Sequence, residues 1–151
     1  MNLVLDLDET LISVTLDTIK DYDFRFTIQG ARFYGKKRPG LELFLSYVFK
    51  HFASVSVWTA ATMEYARKVA NNIFTKEQME KILFFKTRRD LSSDSGKKIY
   101  KPLQKIFDDQ RSITYNITRA NTVMVDDRLD FMRFNPGNGI VIPPFKRQVR
   151  D

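Results

Sequence analysis

The sequence contains no cysteine. That excludes disulfides, cysteine-ligated zinc and every thiol nucleophile. It contains one histidine, His51, near the end of a helical pattern, where a cation suits the carboxyl terminus of a helix. We read it as structural, which removes phosphohistidine intermediates and histidine-rich metal pairs. Any hydrolytic chemistry must therefore rest on carboxylates. No apolar run approaches the ~20 residues of a membrane span, and Met1 leaves no room for a signal peptide before Asp6. The chain is expected to be soluble, intracellular and monomeric, with neither nucleus nor cytoplasm favoured and no membrane partner. It also lacks internal repeats and any shift of composition, so residues 1–151 are expected to form a single domain.

What is present is a core and an excess of positive charge. Hydrophobic residues make up 43% of the chain and phenylalanine occurs 13 times, which fits a folded domain and not a disordered one. The net charge is +7, and an anionic partner is favoured. A phosphorylated or acidic protein segment fits that charge. A nucleic acid fits it too, although no nucleic-acid motif occurs.

Three short apolar runs end at polar residues. Leu3, Val4 and Leu5 stop at Asp6, Asp8 and Thr10; Val55 to Trp58 stops at Thr59; Val123, Met124 and Val125 stop at Asp126 and Asp127. Runs without alternation are those of strands covered on both faces of a parallel sheet. If all three are parallel, their carboxyl ends gather four carboxylates and two hydroxyls where open α/β sheets bind ligands. Taken alone, Asp8-Glu9-Thr10 would also serve to cap a helix.

Between the runs, residues 13–23 read as a polar connection. Phe24, Phe26 and Ile28 alternate before Gln29-Gly30, and Phe33 and Tyr34 follow, the pattern of a β-hairpin. It would stand as a flap beside the site or cover a sheet edge. Leu41, Phe44, Leu45, Val48 and Phe52 recur at helical spacing behind Arg38-Pro39-Gly40, as do Ala66, Val69, Ala70 and Ile73 over residues 62–74. Thr62 is the natural N-cap of that second helix, and the N–H groups of Ala60 and Ala61 would meet an anion. Residues 77–83 and 102–108 read as short helices, 84–85 and 140–142 as strands, 87–98 as a loop, and the charged residues 146–151 as a frayed end.

Asp6-Leu7-Asp8-Glu9-Thr10, then Thr59, Lys101 and Asp126-Asp127 in that order, resemble the haloacid dehalogenase (HAD) superfamily of aspartate-based phosphatases. Asp-Leu-Asp-Glu-Thr-Leu, Arg38-Pro39-Gly40, Trp58-Thr59-Ala60, Tyr65-Ala66 and Tyr100-Lys101 are similar to its RNA polymerase II carboxy-terminal-domain (CTD) phosphatases and the NLI-interacting-factor-like group. The resemblance implies a three-layer Rossmann-like α/β fold with a parallel sheet, a hairpin flap after the first strand and no large cap domain. It implies Asp6 as nucleophile, Asp8 as general acid and base, Thr10 as the residue steadying their loop, and Thr59 and Lys101 as holders of the phosphoryl oxygens. Arg38 would associate with substrate. Mg²⁺ would be held by Asp6, the Asp8 carbonyl and Asp127, with Asp126 as a supporting acid. The implied activity is removal of phosphate from phosphoserine or phosphothreonine in proteins, the polymerase tail among them; nucleic-acid ends, small metabolites or a catalytically silent binding module are the alternatives. Asp126-Asp127-Arg128 resembles the transcription-factor-associated branch, whereas the small phosphatases carry Asp-Asn-Ser there. Residues 87–98 are shorter than the insert of those small enzymes.

Overall fold

The computed structural model describes residues 1–146, so most of the frayed end expected at 146–151 lies outside the described residues. Five parallel strands form the central sheet: β1 (Asn2–Leu5), β5 (Ser54–Trp58), β6 (Ile82–Lys86), β9 (Thr122–Asp126) and β10 (Gly139–Val141), in the order β10-β9-β1-β5-β6. Leu3, Val4 and Leu5 are all buried, as a strand covered on both faces must be. Each such side chain contributes ~1.5–3 kcal/mol on burial. Leu3 and Leu5 join one apolar cluster and Val4 joins the other, because successive strand residues point to opposite faces.

On one face lie α1 (Leu41–His51) and α2 (Met63–Ile73), through Leu41, Leu45, Val48, Ala66, Val69 and Ala70. Thr62 caps α2 by accepting from the Tyr65 N–H. Phe44 departs from expectation: it is 37% exposed and lines a cavity of about 440 Å³ with Pro39, Ile140 and Ile142. Leu41, Leu45 and Val48 already fill the α1 stripe, and Phe44 falls at its margin. On the opposite face, α4 (Gln104–Phe107) buries Ile106 beside Leu103, Trp58 and Met124, and α5 (Gln110–Thr114) follows it. A further short helix, α3 (Lys76–Lys81), leads into β6.

The flap is a three-stranded sheet and not a simple hairpin. β3 (Phe24–Ile28) and β4 (Ala31–Lys37) pair as the alternation predicts, but β2 (Ile12–Thr15) adds to β4 from the other side. The supposed connection at 13–23 thus begins with a strand, too short for its alternation to stand out. Gly35 faces Phe24 across the pair, where a Cβ would lie 2.1 Å from the ring. A last hairpin, β7 (Ser92–Ser93) with β8 (Ile99–Tyr100), lies within and just after the expected loop. Among the described residues, nothing larger than these pieces stands over the carboxyl edge.

Candidate active site

The strand order reverses at β1, which has β5 on one side and β9 on the other. Ligands of doubly wound sheets bind outside such a switch point. Leu5 is level with Val57 and with Val125, so the next residues along the three strands are Asp6, Trp58 and Asp126. The Asp6 N–H donates to the Val125 carbonyl at 3.1 Å and keeps this register. Beyond it the chain turns sharply: the N–H groups of Thr10 and Leu11 return to the Leu7 carbonyl, and Glu9 takes a positive φ of 62°. A non-glycine residue held there is strained, a state that the surrounding structure must enforce.

Lys101 completes the inner part of the site. Its side chain is fully buried, and its Nζ lies 3.0 Å from Asp6 Oδ1 and 2.6 Å from Asp126 Oδ2. Between β8 and α4, its backbone is held on both sides: the N–H donates to the Phe131 carbonyl, and the carbonyl accepts from Asn135 Nδ2 at 2.6 Å. Asn135 Oδ1 in turn accepts from the Leu103 N–H. Burial alone would pull the ammonium's pKa down; the charges of Asp6 and Asp126 overcome this and leave it raised, so the lysine is a fixed cation. Burial and the Asp6 charge push Asp126 up, against the pull of Lys101.

Thr10 links Asp6 to Asp127. Its hydroxyl donates to Asp6 Oδ2 at 2.7 Å and accepts from the Asp127 N–H at 3.2 Å. Burial, a hydrogen bond with Asp6 and the charges of Asp6 and Asp126 raise Asp127 to about 7. Crowded acids that retain a proton are what a hard divalent cation relieves. Asp6, Asp126 and Asp127 each offer an oxygen within 4.8 Å of the others, and an all-oxygen set suits such an ion. Lys101 bonds both Asp6 and Asp126, and the Arg128 N–H takes the second Asp126 oxygen; Asp127, which among the described residues makes no ion pair with the lysine, is the acid of the set most open to metal.

The outer part is looser. Asp8 accepts from the Tyr65 hydroxyl at 2.7 Å. Burial raises it to about 6, with Tyr65 pulling the other way and Asp6 adding to the rise. Beside it opens a cavity of about 370 Å³ lined by Ala60, Ala61, Thr62, Tyr65 and Arg88. Thr59 is buried, and its hydroxyl accepts from the Ala61 N–H, so that N–H is already occupied. Arg38 makes no ion pair with a carboxylate among the described residues: it donates to the carbonyls of Thr10 at 3.1 Å and Pro143 at 3.0 Å, and lies over the Phe145 ring.

Three side chains join the site without a role assigned from sequence. Tyr65 is at the third position of α2, and helical side chains lean toward the amino end, which brings it back over the sheet edge; its place after the Thr62 cap is a usable signal. Arg88 donates through Nε to the Ala60 carbonyl, and Asn135 braces Lys101. Neither stands out from its neighbours in the sequence.

A switch point that surrounds a buried lysine with carboxylates, with no large cap among the described residues, is the arrangement of the phosphatases of the haloacid dehalogenase type. Comparison with known proteins narrows the class. The model of the NLI interacting factor-like phosphatases matches residues 1–151, and the chain belongs to that family. It is 34% identical over 160 residues to the CTD phosphatase-like protein 355R of Invertebrate iridescent virus 3, covering 95% of this chain and 83% of that one. Against an RNA polymerase II C-terminal domain phosphatase of Schizosaccharomyces pombe the identity is 28%, over 95% of this chain but 21% of the yeast protein. The solved structure of a fission yeast RNA polymerase II CTD phosphatase, Fcp1, bound to beryllium fluoride aligns with a TM-score of 0.72 at 25% identity. That alignment covers 95% of this chain and 41% of the yeast one. The chain thus spans most of the viral relative and less than half of the yeast proteins. Among the described residues, no helix is long and apolar enough to cross a membrane.

Proposed function

We propose that this chain, acting as one domain, is a Mg²⁺-dependent phosphatase that removes phosphate from phosphoserine or phosphothreonine in proteins through an aspartyl-phosphate on Asp6. The observation that carries this reading is Lys101, buried between Asp6 and Asp126 at the switch point. A lysine so placed fixes one Asp6 oxygen and keeps its charge at the point where a phosphoryl group would arrive.

Thr10 holds the other Asp6 oxygen, so the nucleophile is preorganised. An Asp6 oxygen attacks phosphorus, and the bond to the serine or threonine oxygen breaks as Asp8 delivers a proton to it. Asp8 then takes a proton from the water that cleaves the acyl phosphate. A group near 6 suits both halves of that cycle. Lys101 and Thr59 stabilise the equatorial phosphoryl oxygens; one such donor is worth on the order of 10²–10³ in rate. Asp6, Asp127 and the Asp8 carbonyl would hold Mg²⁺, which would supply positive charge against those oxygens and the clustered carboxylates.

The open carboxyl edge suits a macromolecular substrate. The net charge of +7 also favours a phosphorylated nucleic-acid end, so the test includes one. We expect p-nitrophenyl phosphate hydrolysis that requires Mg²⁺, stops with chelator and is lost in Asp6→Asn. Phosphopeptides should be preferred over 3′- or 5′-phosphorylated oligonucleotides and sugar phosphates. Turnover that survives Asp6→Asn overturns the mechanism, and a preference for oligonucleotides overturns the substrate.

A further inference from the structure

We propose that Tyr65 is the positioning residue for Asp8, and that the flap sets it through Phe26 and Phe33. The proposal rests on the reading of Asp8 as general acid and base. Asp8 is the carboxylate of the cluster with the least support from the sheet: Lys101 bonds Asp6 and Asp126, and Thr10 bonds Asp6 and Asp127. Among the described residues, what holds the Asp8 side chain is a phenol, Tyr65, whose hydroxyl donates to Asp8 Oδ1 at 2.7 Å.

That phenol has little freedom. Its ring meets Phe26 edge-on at 5.5 Å and 75°, and Phe33 at 5.7 Å and 77°. Phe26 and Phe33 are directly opposed in the flap, with parallel rings at 5.1 Å. Edge-to-face contacts of this kind favour a particular ring orientation. The flap therefore fixes the ring, the ring fixes the hydroxyl, and the hydroxyl chooses which Asp8 oxygen accepts. With Oδ1 occupied as an acceptor, the transferable proton belongs on Oδ2. That oxygen gives the proton to the leaving group in the first step and takes one from water in the second.

A positioning role of this kind has a kinetic signature. The value of kcat/KM reports formation of the aspartyl-phosphate, where protonation matters most for a poor leaving group. Phosphoserine releases a basic alkoxide oxygen, and p-nitrophenyl phosphate releases a good leaving group that needs little help. We expect Tyr65→Phe, with unchanged Tm, to lower kcat/KM on a phosphoserine peptide about 100-fold, and on p-nitrophenyl phosphate less than tenfold. A graded series of aryl phosphates should show a steeper dependence on leaving-group basicity. Phe33→Leu should steepen it in the same direction and by less.

An equal fall on all substrates, or no fall, overturns the role of Tyr65. A Phe33→Leu slope identical to wild type removes the flap from it. A folded wild type that turns over no member of the series overturns the functional reading together with this one. An active wild type, silenced by Asp6→Asn, isolates the failure to Tyr65.

Discussion

On the inner wall of the crevice, Lys101 is 0% exposed and joins two carboxylates that are 6% and 0% exposed; on the outer wall, Asp8 and Asp127 are half-buried and titrate near neutrality. The inner groups are fixed by strand register and by a lysine whose backbone is held on both sides. The outer groups are tied by side-chain hydroxyls, Tyr65 for Asp8 and Thr10 for Asp127. The difference separates two kinds of charge. Inside, the lysine and its two carboxylates are locked together by hydrogen bonds and the cluster forms part of the core; outside, protons can leave and return. A catalyst that must hold a nucleophile still and move a proton beside it needs both.

The largest expected effects fall on the inner wall. Asp6→Asn removes the proposed nucleophile and should lower kcat on p-nitrophenyl phosphate by on the order of 10⁴ or more, with the fold retained in circular dichroism. Lys101→Ala should lower kcat and also stability. Removing one member of a buried ionic cluster leaves its partners uncompensated and costs about 3–5 kcal/mol. For a chain of this length that is a fall in Tm on the order of 10 °C. An inactive Lys101→Ala with the wild-type Tm would show that the buried cluster is not structural, and the contrast between the walls would fail.

How much of this was legible in the sequence follows the same division. The inner wall is read from three apolar runs and the residue types that end them, because parallel strands leave no choice about where their ends converge. Lys101 is different: a lysine before a short helix is ordinarily solvent-facing, and it stands apart from Lys97 and Lys98 only through the family resemblance. The pieces the sequence conceals are those with too few residues to show a period: β2 with four, β7 and β8 with two each, and α5 with five. Asn135 is hidden because its importance lies in two backbone groups across the chain, Lys101 and Leu103. The hairpin presents two readings in sequence, flap or edge cover; its contact with Tyr65 favours the flap.

On the outer wall the expected effects are smaller and depend on pH and metal. Asp127 is raised from 3.8 to about 7 in the folded chain without metal. The folded state therefore holds a proton that the unfolded state has lost across that interval, and stability falls as pH rises through it. Metal-free protein should show a Tm that declines between about pH 4 and 7. Asp127→Asn should flatten the decline, and saturating Mg²⁺ should do so in wild type while raising Tm at pH 7. A Tm indifferent to Mg²⁺ in wild type would remove the carboxylate cluster as a metal site. A shift that persists in Asp127→Asn would remove Asp127 alone.

The smallest effect is expected at Arg38, which belongs to neither wall. The resemblance associates it with substrate, yet its guanidinium is spent on the carbonyls of Thr10 and Pro143. These bonds join the turn after Asp8 to the segment beyond β10, and the Phe145 N–H reaches the same turn at the Glu9 carbonyl. Arg38 thus holds the strained turn closed from behind. A lysine keeps the charge but not the fork needed to span two carbonyls. Arg38→Lys should therefore lower kcat by about three- to tenfold, the loss of roughly one hydrogen bond, and leave KM for a phosphopeptide unchanged. If Arg38 meets the phosphate in the bound state, KM rises and kcat holds. The outcome decides whether positive charge near the site serves substrate directly or serves the loop that presents Asp6 and Asp8.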